Sequence, residues 1–298
     1  MMENKKVSII LPVYNGADHV ANSIESIISQ RYRNWELIIV NDCSTDNTLE
    51  IIEKLAQRDC RIRVISNEKN LKLPGTLNVG FEAATGDYYT WTSDDNMYKP
   101  EAIEVLVAAL ESNPDASMVY SDYTNIDDSG NVFSECKLQE PNYIVTGNVC
   151  GASFLYTADV AKIVGKYDVN LFLAEDYDYW MRIYRHGKMI HIKDDLYLYR
   201  RHAGSLSETK KASINEQTYK ALEKNFLSLY FAAKKYGLSY AFFDHILARA
   251  DAHFDETKEM LFLVDRSYEN TLVKRAMKES IKKSLPYTII QKLKGNNS

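Results

Sequence analysis

Across the first 120 residues, short apolar runs alternate with helical stripes, and this rhythm leaves few folds open. Val7-Ser8-Ile9-Ile10-Leu11, Leu37-Ile38-Ile39-Val40, Arg63-Val64-Ile65-Ser66, Tyr88-Tyr89-Thr90-Trp91 and Ser117-Met118-Val119-Tyr120 have the length and character of buried strands. Between them, Val20, Ile24, Ile27 and Ile28 recur at helical spacing, as do Leu49, Ile52, Leu55 and Ala56. Asn47 and Glu50 stand where an N-cap and its N3 acid would stand. A third helix is predicted over Thr76–Ala84, and a fourth, opened by Pro100, carries Ile103, Leu106, Val107 and Leu110. Such alternation predicts right-handed crossovers and an α/β, doubly wound, mainly parallel and Rossmann-like sheet. Ligands of these sheets lie beyond the carboxyl ends of the strands. The segments to examine are therefore Pro12 to Asn15, Asn41 to Asp46 and Thr92 to Asn96.

The rest of the chain divides in two. Residues 122–209 are irregular, with a turn at Asp127-Asp128-Ser129-Gly130, a Gly147–Gly151 loop, a helix opening at Glu175-Asp176 and a strand-like Asp195–Arg200. From about Ser213 the pattern is helical, with stops at Gly237 and Pro286. Charge follows the same division. Residues 1–209 hold 20 basic and 31 acidic side chains, a net of −11; residues 210–298 hold 16 and 10, a net of +6. A first unit at 1–209 and a helical C-terminal extension at 210–298 are expected. The overall −5 argues against nucleic-acid binding. No apolar run is long enough to span a bilayer, and Met1–Lys6 with the short run after it does not resemble a signal peptide. Cys43, Cys60, Cys136 and Cys150 are too scattered for a disulfide framework, so reduced thiols and a cytoplasmic location are expected.

Neither a G-x-G-x-x-G nor a P-loop follows a strand, and acidic residues stand there instead. Asp94-Asp95 after the fourth strand can hold a hard divalent cation, although Ser93-Asp94-Asp95-Asn96 is also good turn composition. Asp42 closes the second strand as ligand or turn residue, while Asp46 suits a helix cap. Glu175, Asp176 and Asp178 complement a helix dipole whatever else they do, and a carboxylate there also suits a general base. Arg200-Arg201 matches a diphosphate, and His202 is either a solvated side chain or part of a metal shell.

These signals, each weak alone, occur in a telling order. Val7–Asn15, Val40-Asn41-Asp42-Cys43-Ser44-Thr45-Asp46-Asn47-Thr48, Asn78-x-Gly80, Ala84-x-Gly86-Asp87-Tyr88, Ser93-Asp94-Asp95, Glu175-Asp176 and Tyr199-Arg200-Arg201-His202 together resemble family 2 glycosyltransferases, inverting enzymes of the GT-A fold. The resemblance covers about residues 5–207. It implies transfer of a sugar from a nucleoside diphosphate donor, usually UDP, to an acceptor hydroxyl of a saccharide or lipid-linked saccharide, with Mg²⁺ or Mn²⁺. Cell-surface polysaccharide or glycoconjugate synthesis is the implied setting. Pro12, Val13, Tyr14, Asn15 and Asp42 would line the nucleotide pocket. Ser93, Asp94 and Asp95 would occupy the D-x-D region, with Asp94 and Asp95 on the metal. Asp176 would be the catalytic base, Arg200 or Arg201 would meet the diphosphate, and His202 would touch the metal.

Two residues depart from the pattern. Thr92 stands where the family usually has its first strand-end acid, and Cys43 stands where it usually has glycine. Two rival readings are a metal-dependent nucleotidyltransferase and a non-catalytic scaffold. The first needs a basic loop after strand one, and Pro12–Asp18 contains none. The +6 of the C-terminal part lies wholly in residues 270–298, where Leu272, Val273, Ala276, Met277, Ile281 and Leu285 share a helical face opposite Lys274, Arg275, Lys278, Lys282 and Lys283. Such a tail suits either docking on its own domain or peripheral contact with an anionic membrane. A homo-oligomer is also compatible with the sequence.

Overall fold

The computed structural model describes residues 5–268 and Thr271, so the basic tail and the expected stop at Pro286 lie outside the described residues. The chain begins with β1 (Val7–Val13), α1 (Val20–Ile28), β2 (Trp35–Asn41), α2 (Thr48–Ala56), β3 (Ile62–Ser66), α3 (Lys72–Glu82), β4 (Tyr88–Trp91), β5 (Met97–Tyr98) and α4 (Ala102–Glu111). It continues through β6 (Ala116–Ile126), β7 (Val132–Cys136), β8 (Phe154–Thr157), α5 (Ala158–Val164), α6 (Glu175–His186) and β9 (Lys188–Arg200). Helices α7 (Leu206–Thr209), α8 (Lys211–Lys224), α9 (Phe226–Lys235), α10 (Ser239–Ala250) and α11 (Phe254–Val264) complete it.

The strands form a nine-stranded sheet in the order β3-β2-β1-β4-β8-β6-β9-β5, with β7 on the outer half of β6. The β3-β2-β1-β4 half is parallel throughout. β6 and β9 are parallel to each other, whereas β8 runs antiparallel between β4 and β6. The five anticipated strands are all present. β5, β7 and β8 were not anticipated, because a two-residue strand, a largely exposed one and a four-residue one leave no clear periodicity.

Alternation within β1 explains why its run is apolar throughout. Val7, Ile9, Leu11 and Val13 join the core under α1, α2 and α4, while Ile10 faces the opposite core with Ile38, Val40, Met118 and Tyr156. Both faces are covered, so both sets are buried. Gly80 in α3 sits so close to β1 that a Cβ there would lie 2.3 Å from Ile10 Cγ2. The second core continues without a break into the C-terminal helices, taking in Tyr219, Leu222, Phe226, Phe242, Phe243 and Ile246. Among the described residues, no helix is long and apolar enough to cross a membrane.

One capping expectation is corrected. Asn47 makes no side-chain cap bond; Asp46 Oδ1 instead accepts the Thr48 N–H at 3.1 Å, and Asp46 Oδ2 accepts the Ala17 N–H at 3.3 Å. Asp46 thus ties the start of α2 to the loop after β1.

Candidate active site

The loops after β1, β2, β4 and β9 open on one end of the sheet. Pro12 and Val13 are still buried within β1, paired with Val40 and Asn41, and only Tyr14 and Asn15 emerge into solvent. Asn15 has a positive φ of 54°, a conformation Asn tolerates better than most residues. Its Oδ1 accepts the Thr45 N–H at 2.8 Å, and its own N–H donates to Ser44 Oγ at 3.0 Å. The first loop is therefore fastened to the second. Asp42 is buried, and its Oδ1 accepts both Asn67 Nδ2 and the Leu71 N–H at 2.8 Å. Next to it, Cys43 has a φ of 64°, a left-handed conformation that glycine adopts without steric cost.

After β4, Thr92 turns inward. Its hydroxyl lies 2.6 Å from Tyr197 OH in a buried pair, so the side chain at this departure from the family pattern belongs to the core. The Ser93 carbonyl accepts Ser23 Oγ at 3.0 Å, which ties the loop to α1. Asp94 lies against Gly16, where a Cβ would fall 1.9 Å from Asp94 Oδ2; only glycine leaves the carboxylate that room. Burial, and then the neighbouring Asp95 charge, push Asp94 up to about 7. Asp95 Oδ2 faces His202 Nε2 at 3.2 Å, while its Oδ1 is buried without a partner. His19, whose Nε2 pairs with Asp128 Oδ1 at 3.0 Å, brings its ring within 5.7 Å of His202.

These groups fit a divalent cation. Carboxylate oxygens and an imidazole suit Mg²⁺ or Mn²⁺, and a cation would satisfy the orphaned Asp95 Oδ1 and stabilise the charged form of Asp94. Among the described residues, no three His, Cys, Asp or Glu side chains are gathered closely enough to cage an ion by themselves.

The two candidate arginines have different surroundings. Arg200 is 3% exposed and spends its guanidinium on main-chain carbonyls: Nε on Asp95 O at 2.9 Å, and Nη1 on Asp127 O at 3.0 Å and Asp128 O at 2.7 Å. Asn96 Oδ1 accepts its N–H at 2.7 Å. Arg201 is half-exposed and pairs with Glu208, which also holds Lys211.

Asp176 sits in the first turn of α6. Its Oδ1 accepts the Tyr177 N–H at 2.7 Å, and its Oδ2 accepts Asn148 Nδ2 at 2.8 Å. Burial holds it above the usual carboxylate range, and these two donors partly offset the rise. Buried Glu175, pushed up to about 8 by burial and then by Asp176, accepts the N–H of Leu173 at 2.6 Å. The phenol of Tyr199 lies within the electrostatic reach of both acidic segments. Burial raises its phenol, the Ser207 hydroxyl opposes this, and the charges of Asp95 and Asp176 both act on it.

Asn148 was not singled out from the sequence. An Asn in a loop is ordinary, and only its place in the Gly147–Gly151 segment pointed toward it.

Comparison with known proteins adds a family to this geometry. The profile described as Glycosyl transferase family 2 matches residues 8–152. A relative from Haemophilus influenzae, named an uncharacterized glycosyltransferase, is 30% identical over 279 residues, covering 87% of this chain and 84% of the relative. The chain belongs to glycosyltransferase family 2. Its fold is similar to that of Staphylococcus aureus TarS 1–349 in complex with UDP-GlcNAc, with a TM-score of 0.64 and 19% identity over 83% of this chain and 73% of TarS. It is also similar to the mannosyltransferase PcManGT from Pyrobaculum calidifontis in complex with GDP-Man and Mn²⁺, with a TM-score of 0.60 and 15% identity over 92% and 85% of the two chains. The chain is thus a glycosyltransferase with the expected GT-A architecture and a helical C-terminal part. Family membership sets aside the nucleotidyltransferase alternative.

Proposed function

We propose that this glycosyltransferase moves a sugar from a nucleoside diphosphate donor, UDP foremost, to an acceptor hydroxyl with inversion at the anomeric carbon. The observation that carries this reading is Asp176. A carboxylate held above its usual range at the opening of a helix, near enough for its charge and that of Asp95 both to act on Tyr199, suits a general base.

Asp42, its Oδ1 already engaged by Asn67 and Leu71, and the exposed end of the first loop at Tyr14 and Asn15 bind the nucleoside. Ser93 shapes the loop that presents Asp94. The diphosphate contact falls to Arg201, because Arg200 is occupied in holding the Asp95 main chain. Asp94 and Asp95, with His202 paired beside Asp95, would hold Mg²⁺ or Mn²⁺, which would supply charge neutralisation for the departing diphosphate.

Asp176 removes the acceptor proton as the hydroxyl oxygen forms its bond to the anomeric carbon. The opposite carbon–oxygen bond breaks, and its electron pair leaves with the diphosphate through an oxocarbenium-like transition state. An acidic domain can thus act on an acidic donor, because cations reverse the sign locally. The acceptor is a saccharide or lipid-linked saccharide.

The test is Asp176→Asn, assayed for UDP release across a panel of nucleotide sugars and for UDP affinity by calorimetry. Turnover should be lost while UDP affinity stays within a few-fold of wild type. Full turnover in this variant would remove Asp176 from the role of base.

A further inference from the structure

A base must point as well as titrate. The bond from Tyr177 N–H to Oδ1 fixes only one oxygen of Asp176, and the terminal torsion of an aspartate is soft. The second oxygen is fixed from outside the helix, by Asn148 Nδ2 at 2.8 Å. The orientation of that amide is determined, because Asn148 Oδ1 accepts the Cys150 N–H at 3.2 Å and the NH₂ group must therefore face Asp176.

The loop around Asn148 is anchored by other contacts. Val149 and Cys150 are buried, and Tyr177 OH donates to Ile144 O at 2.6 Å, fastening the preceding turn to α6. Asn148 itself is exposed, on a loop its neighbours already hold. Its side chain closes a short chain of bonds from the Cys150 main chain to the base.

We propose that Asn148 is a positioning residue for the reaction, setting the plane of the Asp176 carboxylate so that one oxygen stays aimed at the acceptor hydroxyl. The proposal rests on Asp176 being the base. It adds that the loop before β8 controls catalysis through a single amide. A donor to the ionised carboxylate also favours the charged form, so its loss should raise the pH at which the base becomes protonated.

The experiment compares wild type with Asn148→Asp, Asn148→Ala and Asp176→Asn. Asn148→Asp keeps an oxygen for the Cys150 N–H, and so keeps the loop, but removes the donor to Asp176. UDP affinity, melting temperature, kcat and the acidic limb of the kcat–pH profile are measured for each. For both Asn148 variants we expect wild-type UDP affinity, kcat reduced by about tenfold or more, and an acidic limb moved up by about one pH unit, furthest in Asn148→Asp. Wild-type kcat with an unmoved limb would overturn the proposal. So would a fall in kcat with no movement of the limb, which would mark a merely structural role. Full turnover in Asp176→Asn is a different result, because it removes the base itself.

Discussion

Arg200→Lys separates a buried tether from a phosphate ligand. Arg200 makes three hydrogen bonds from a charged guanidinium to main-chain carbonyls, on Asp95, Asp127 and Asp128. Bonds to charged groups contribute about 1.5–3 kcal/mol each, and a lysine ammonium in the same place can keep one of the three. Two lost bonds at the lower figure cost about 3 kcal/mol. At about 2 °C per kcal/mol for a chain of this size, Tm should fall by about 6 °C. Differential scanning calorimetry measures this, and a UDP titration with and without Mn²⁺ measures what remains of the site. The loop carrying Asp95 should loosen, so metal-dependent UDP affinity should fall together with Tm, whereas Arg201→Ala should weaken UDP binding and leave Tm near wild type. A Tm within 1 °C of wild type in Arg200→Lys, with UDP binding reduced, would refute the tether and return Arg200 to the diphosphate.

Three further outcomes are expected. Gly80→Ala should destabilise the protein by about 1–3 kcal/mol in urea unfolding, because the new Cβ would lie 2.3 Å from Ile10 in a packed interface. Cys43→Gly should stabilise it by about 0.5 kcal/mol, since relief of the positive φ outweighs the added freedom of the unfolded chain; thermal melts of the two proteins would show it. Glu175, pushed up to about 8, binds its proton more tightly folded than unfolded, so its contribution to stability is full below about pH 4.5 and is lost as pH rises to about 8. Glu175→Gln, which keeps an oxygen for the Leu173 N–H, should therefore gain on wild type as pH rises, by about 1–3 kcal/mol at pH 8.5 in denaturant titrations.

Much of the architecture was legible because it is written locally. Two-sided burial makes β1 and β2 continuous apolar runs, and one-sided burial puts a 3.6-residue stripe on α1 and α4. Strand ends then marked where Asp42, Asp94 and Asp95 would stand, and the helix start marked Asp176. β9 was half-seen, because the Lys188–Asp194 stretch before the expected Asp195–Arg200 is largely polar or partly exposed and carries little period-two signal. β8 was unreadable for a related reason. Four residues cannot announce that they will run antiparallel between two parallel halves.

The roles of individual side chains divide the same way. Residue type and order alone determined the strand–helix rhythm, the family resemblance and a short set of acids and arginines. Which arginine is buried, why Thr92 belongs to the core, and which amide holds Asp176 were decided only by tertiary structure. Arg200 meets Asp95 and Asp127, Thr92 meets Tyr197, and Asn148 meets Asp176 across separations of 28 to 105 residues. Periodicity reports on neighbours one or two turns away, and a hydrogen bond between distant segments exists only after the sheet has brought their ends together.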